Sequence, residues 1–216
     1  MTINLPKLIG HRGVRDLAPE NTLQSIKKAI ELNIKWVEID VKISKDHIPF
    51  LLHDSSLERT TSGNGSPFNY RYSELNKLDA GSWFDKKYNN LYPPTLKEAL
   101  DLCSQNNIGI NIELKPNEGS EEANVVAITE LIMKHKFDCQ YFLSSFDWFS
   151  VIKIRKLLPE SHVGILIDSF DQKRNFTKML DKCNEHNFFS CGFNIMIISD
   201  EIIKVCKNNG ILVTVY

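Results

Sequence analysis

Short apolar, β-branched runs alternate along this chain with segments of helical periodicity. That alternation restricts the fold to parallel strands joined by crossover helices. Strands are expected at Lys7–Gly10, Trp36–Val41, Ile108–Leu114, Tyr141–Ser145, His162–Ile167, Cys191–Met196 and Ile211–Tyr216. Helices are expected near Glu20–Leu32, Thr95–Gln105, Glu121–His135, Trp148–Leu158, Asn175–His186 and Asp200–Asn208. The series runs without a linker, an internal repeat or a low-complexity tract, which suits one domain over residues 1–216.

One interval breaks the rhythm. Ile43 to Pro94 is too long for a βα loop and is expected to be functional. Its first part, Ser44-Lys45-Asp46-His47, separates two apolar runs by too few residues for a parallel crossover and leaves only a hairpin-like return. That return brings Glu38, Asp40 and His53 to the same end of the sheet. The rest of the interval mixes turn residues with the aromatics Phe68, Tyr70, Tyr72, Trp83 and Phe84, and their own small core is the expected arrangement.

Composition narrows the partners. A hydrophobic fraction of 42% and a charged fraction of 25% are those of a soluble globular protein. A net charge of -1, from 26 basic and 27 acidic side chains, provides no global field for nucleic acid or an anionic membrane, so an anion must be recognised locally. Met1–Gly10 lacks the charged and apolar regions of a leader, and no run reaches the length of a membrane span, so a cytoplasmic protein without stable membrane insertion is expected. The five cysteines form no C-x-x-C pair and are odd in number, which favours reduced, buried thiols over disulfides or a zinc site.

Glu38 and Asp40 are two apart on an expected strand, so both carboxylates share one face, and Glu113 and Lys115 repeat the spacing at the end of another strand. Any one such acid reads equally well as a solvated strand end. Three together repel by several kcal/mol at intermediate dielectric, roughly, unless a cation sits among them. All-oxygen ligation by Glu38, Asp40 and Glu113 suits one divalent cation, Mg²⁺ or Ca²⁺, better than Zn²⁺. His11, between Gly10 and Arg12-Gly13, and His53, before Asp54, end strands that converge on these acids. Phosphodiester hydrolysis needs one group to take a proton and another to give one, and a histidine pair can divide those roles. Arg12 and Lys115 supply fixed positive charge for a phosphate. The glycine-containing Ser62–Ser66 segment lacks the pattern of a phosphate loop and reads as a turn.

In this order, His11-Arg12-Gly13, Pro19-Glu20-Asn21-Thr22, Glu38-x-Asp40-Val41, His53-Asp54, Arg59-Thr60-Thr61-x-Gly63, Gly81-Ser82-Trp83-Phe84, Pro94-Thr95-Leu96-x-Glu98 and Glu113-x-Lys115 are highly specific. With them, the chain resembles the glycerophosphodiester phosphodiesterase family of the PLC-like phosphodiesterase superfamily from Ile9 to Tyr216. The resemblance implies an α/β TIM-type barrel with a subdomain of about residues 54–93 inserted after the second strand. It implies His11 and His53 as general acid and base, Glu38, Asp40 and Glu113 as metal ligands, and Arg12 and Lys115 as phosphate contacts. Phe146, in a Ser-Phe pair at a strand end, matches a pocket wall, and Asn21 matches a motif position with a structural role at a helix start. The implied substrate is a small glycerophosphodiester, cleaved to glycerol 3-phosphate and an alcohol.

Two other readings use the same residues. A lysophospholipase D-like enzyme would accept a lipid tail through the inserted aromatics, and a truncated non-catalytic phosphate-binding protein would follow from a barrel without its last strand. Ile211–Tyr216 resembles the family's seventh strand, so strand eight is expected to be missing. A homo-oligomer, with a second copy covering the open barrel edge, is one expected consequence.

Overall fold

The computed structural model describes residues 3–169 and 173–216, and the chain divides into two compact units, Met1–Tyr141 and Phe142–Tyr216. The first unit contains α1 (Leu23–Glu31), β1 (Trp36–Ile43), β2 (Pro49–Leu51), α2 (Tyr72–Leu75), α3 (Leu96–Gln105), β3 (Gly109–Leu114) and α4 (Glu121–Lys134). β1 pairs in parallel with β3, Asp40 opposite Glu113, and antiparallel with β2, Val41 opposite Leu51. The antiparallel partner is the hairpin return that the short Ser44–His47 connection required.

Every residue of β1 is buried, so period-two alternation sorts it into an apolar face of Val37, Ile39, Val41 and Ile43 and a dry polar face carrying Glu38, Asp40 and Lys42. Each fully buried valine or isoleucine contributes about 1.5–3 kcal/mol, which offsets the penalty of keeping charged groups on the other face away from water. Trp36 opens the polar-face series opposite Gly109, where a Cβ would lie 2.2 Å from the indole ring, so the glycine makes room for it.

The expected strand at Lys7–Gly10 is corrected. Only Gly10 pairs, in a single parallel bridge to Val37, and Leu8 is 67% exposed. The chain leaves the sheet at once through a turn in which Arg12 (φ 52) and Gly13 (φ 81) are left-handed, and a Cβ at Gly13 would stand 2.2 Å from Ser25 Oγ. The turn ends pairing after Gly10, and before it Lys7 and Leu8 are exposed, so little burial is available to extend the strand backward.

After β2 the inserted segment builds its own core from Leu57 and Leu75, packed with Phe50 and Leu52, with Tyr70, Tyr72 and Leu78 against it. Trp83 meets Phe84 edge-on at 5.7 Å and Phe84 lies 5.8 Å from Tyr88. The segment returns to β2 through the Leu51 N–H, which donates to Pro94 O at 2.8 Å. Thr95 and Glu98 then form a capping box that starts α3, so the Pro94–Glu98 motif is a helix start rather than chemistry.

The second unit runs from β4 (Tyr141–Ser145), which begins at the boundary, through α5 (Trp148–Leu157), β5 (Val163–Ile167), α6 (Lys173–Glu185), β6 (Ser190–Phe193) and α7 (Asp200–Asn208) to β7 (Leu212–Val215). Consecutive strands pair in parallel from β4 to β7. With β2 counted, the described residues hold seven strands and no eighth barrel strand. All five cysteines are free and buried, and no helix among the described residues is long and apolar enough to cross a membrane.

Candidate active site

The left-handed backbone at Arg12 turns its N–H onto Glu38 Oε2 at 2.8 Å, while the Gly13 N–H donates to Glu38 O at 2.9 Å. The Arg12 carbonyl accepts from the Asn21 N–H and from Ser25 Oγ, so the turn is fastened on both sides. The Arg12 guanidinium lies inward, with Nη1 donating to Glu20 Oε1 at 2.7 Å and Nε 3.4 Å from Asp40 Oδ2. That Nε lacks hydrogen-bond geometry, so Asp40 feels its charge more than its proton. His11 Nε2 stands 3.8 Å from Glu38 Oε2, and burial, helped by Arg12 and Arg15, pushes the imidazole down to about 4.

One oxygen from each of Glu38, Asp40 and Glu113 lies within 4.8 Å of the others, and all three residues are buried. Burial, then the neighbouring acids, raise the carboxyls of Glu38 and Glu113 above their usual range. Lys115 Nζ sits 2.5 Å from Glu113 Oε1 and 3.6 Å from Asp40 Oδ1, and relieves part of that repulsion. Glu38 Oε1 is buried without a hydrogen-bond partner. An orphaned buried carboxylate oxygen beside two more hard donors fits a divalent cation such as Mg²⁺ or Ca²⁺.

His53 Nδ1 is 2.6 Å from Asp54 Oδ1. Hydrogen bonds from Arg59 hold the Asp54 carboxyl far below the usual range, so it stays ionised and can only accept. The Nδ1 proton therefore points at Asp54, and Nε2 of the neutral ring carries the lone pair. Burial lowers the His53 pKa, against the opposing pull of Asp40 and Asp54.

The structure brings His11, Arg12, Glu38, Asp40, His53, Glu113 and Lys115 into the first unit. Phe146 belongs to the second, where its ring meets Tyr216 edge-on at 5.5 Å. Sequence reasoning missed one participant and placed another only as part of a helix start. Lys42 continues the period-two series of Glu38 and Asp40, a signal that was visible. Its Nζ donates to Lys115 O at 2.8 Å and to Asn117 Oδ1 at 2.7 Å, and burial lowers its pKa to about 8. Asn21 is structural, yet the cap of α1 is Thr22, whose side chain accepts from the Ser25 N–H. Asn21 instead clamps Asp40, donating from Nδ2 to Oδ2 at 2.8 Å and accepting the Asp40 N–H at 3.0 Å.

Asn21 also holds φ 55, a conformation asparagine tolerates better than alanine. Asn21→Ala is expected to destabilise the protein by roughly 2–4 kcal/mol, from two buried groups left unpaired and a strained backbone. Urea unfolding of the variant beside the wild type checks this, and equal midpoints would remove the clamp from the account.

Residues 11–216 match the model of the glycerophosphoryl diester phosphodiesterase family. A glycerophosphodiester phosphodiesterase of Caldanaerobacter subterraneus subsp. tengcongensis is 32% identical over 209 residues, covering 94% of this chain and 82% of that protein. Among solved structures, an Oleispira antarctica phosphodiesterase in complex with the product sn-glycerol-3-phosphate superposes with a TM-score of 0.91 at 35% identity, covering 98% of this chain and 84% of that one. A Thermotoga maritima glycerophosphodiester phosphodiesterase superposes at 0.75 with 25% identity, over 100% of this chain and 87% of that one. The α/β TIM-type fold expected from the sequence is thus shared with these structures. From residue 11 to residue 216, the chain belongs to the glycerophosphoryl diester phosphodiesterase family.

Proposed function

We propose that this site hydrolyses glycerophosphodiesters to glycerol 3-phosphate and an alcohol, with His11 and His53 as its acid–base pair. The observation that carries the reading is the gathering of two histidines, three buried carboxylates and the cations Arg12 and Lys115 within one unit. The product bound in the Oleispira antarctica structure supports the same chemistry.

One histidine removes the proton of the attacking hydroxyl and the other protonates the leaving alkoxide. Attack by the glycerol 2-hydroxyl gives a cyclic phosphate, and the two histidines exchange roles when water opens it. Arg12 and Lys115 hold phosphate oxygens. Glu38, Asp40 and Glu113 hold one divalent cation, Mg²⁺ or Ca²⁺, which when bound supplies Lewis acidity toward a phosphoryl oxygen. The aromatics of the inserted segment pack on one another, which favours a small polar substrate over a lipid tail.

Release of glycerol 3-phosphate from glycerophosphocholine, with and without EDTA, tests this. Turnover is expected only without chelator and to return with added Mg²⁺ or Ca²⁺. Lysophosphatidylcholine is expected to react about tenfold more slowly or worse, in line with the 10–200-fold that pocket fit provides. Faster release of choline from the lysolipid would replace this reading with a lysophospholipase D.

A further inference from the structure

The mechanism leaves the Arg59-Thr60-Thr61 motif and Glu20 without a role, although Arg59 is tied to both sides of the site. Its guanidinium grips two carboxylates at once. Nε and Nη2 donate to Asp54 Oδ2 and Oδ1 at 2.5 and 2.9 Å, and Nη1 and Nη2 donate to Glu20 Oε2 and Oε1 at 2.9 and 2.7 Å. Each carboxylate then passes the contact on. Asp54 Oδ1 also meets His53 Nδ1 at 2.6 Å, and Glu20 Oε1 also accepts from Arg12 Nη1 at 2.7 Å. The result is one continuous series, His53–Asp54–Arg59–Glu20–Arg12, with Nη2 of Arg59 at its middle.

An isolated surface ion pair is worth little. This one differs, because Arg59 binds both acids through two N–H groups each and the Glu20 side chain is only 7% exposed. Its backbone is also fixed. The Thr61 N–H donates to Leu57 O at 3.0 Å, and Leu57 is fully buried in the core of the inserted segment. The inserted segment therefore sets where the guanidinium stands.

We propose that Arg59 is a positioning residue that couples the proton-transferring His53 to the phosphate-holding Arg12, acting through Asp54 and Glu20. The role rests on the phosphodiesterase reading above. A lysine cannot replace it, since a single ammonium lacks the planar fork that spans two carboxylates.

The test measures kcat and KM for glycerophosphocholine. Arg59→Ala is expected to lower kcat about 10²-fold, and Arg59→Lys about tenfold, the range typical of groups that orient a working side chain. The Arg59 side chain is 44% exposed, so added guanidinium ion at tens of millimolar can reach the vacated position. It is expected to restore about a tenth of the lost rate in Arg59→Ala and none in His53→Ala, a difference that a merely structural role does not produce. Glu20→Gln and Asp54→Asn are each expected to lose about tenfold, and together less than the product, because both act through one residue.

Arg59→Ala within threefold of the wild type, or losses from Glu20→Gln and Asp54→Asn that multiply in full, would overturn the role while leaving the phosphodiesterase reading intact. If Arg59→Ala fails to fold, Arg59→Lys carries the same decision, since it keeps the charge and most of the stem. A folded wild-type chain that releases no glycerol 3-phosphate overturns that reading and this role together.

Discussion

Replacing His53 by alanine is expected to lower kcat for glycerophosphocholine by about 10²–10⁴-fold, with KM changed by no more than a few fold. The ring is held in one tautomer because Asp54, kept ionised by Arg59, can only accept the Nδ1 proton, which leaves Nε2 as the basic atom. Removing the imidazole removes the proposed proton carrier and leaves Arg12 and Lys115, the proposed phosphate contacts, in place. The fold is expected to survive, because Asp54 keeps its two hydrogen bonds from Arg59 and loses only one partner. His11→Ala is expected to lose turnover by a similar factor. Steady-state kinetics with circular dichroism on the same samples decides the matter: a folded His53→Ala enzyme that keeps a third or more of the wild-type kcat is not using His53 for proton transfer.

Glu38→Gln is expected to separate stability from metal affinity, with effects of opposite sign. The glutamine carbonyl still accepts the Arg12 N–H that Glu38 Oε2 accepts now, so the turn at Arg12 persists. What disappears is one negative charge from a buried group of three. Burial and the charges of Asp40 and Glu113 both disfavour the ionised Glu38 carboxylate in the fold, so the neutral isostere is expected to melt no lower than the metal-free wild type.

With Mg²⁺ or Ca²⁺ added, the order reverses. A cation that binds only the folded protein raises its stability by mass action, about 2.7 kcal/mol at a hundredfold excess over Kd, and the wild type is expected to gain melting temperature. The variant, short of one charged ligand, is expected to bind the cation at least 10–100-fold more weakly, no less than the loss seen for outer-shell partners, and to gain little. Titration calorimetry measures the affinity independently of turnover. Equal affinity in wild type and variant would show that Glu38 is not a ligand, whatever happens to activity.

Strand periodicity made part of this site legible before any coordinates. Glu38 and Asp40 had to share a face because side chains alternate along a strand, and the short Ser44–His47 connection had to reverse the chain, so His53 had to return toward them. Both inferences depend only on local geometry, and both held. The expected strand at Lys7–Gly10 did not, because an apolar run pairs only where the fold buries it, and here Lys7 and Leu8 are exposed and Gly10 alone forms a bridge.

The remainder was decided in three dimensions. Asn21 and Thr22 carry the same local signal for a helix cap, and only the left-handed backbone at Asn21, which aims its amide at Asp40, assigns the cap to Thr22 and the clamp to Asn21. Glu20 and Arg59 are 39 residues apart, with no periodicity relating them. Their ion pair exists because the inserted segment builds a core of its own and sets Arg59 down beside the first turn of the chain. The sequence by itself determined which side chains share a strand face, since that follows from backbone repeat. Which charges meet across the fold was decided by packing, since a charge carries no record in the sequence of the partner that will neutralise it.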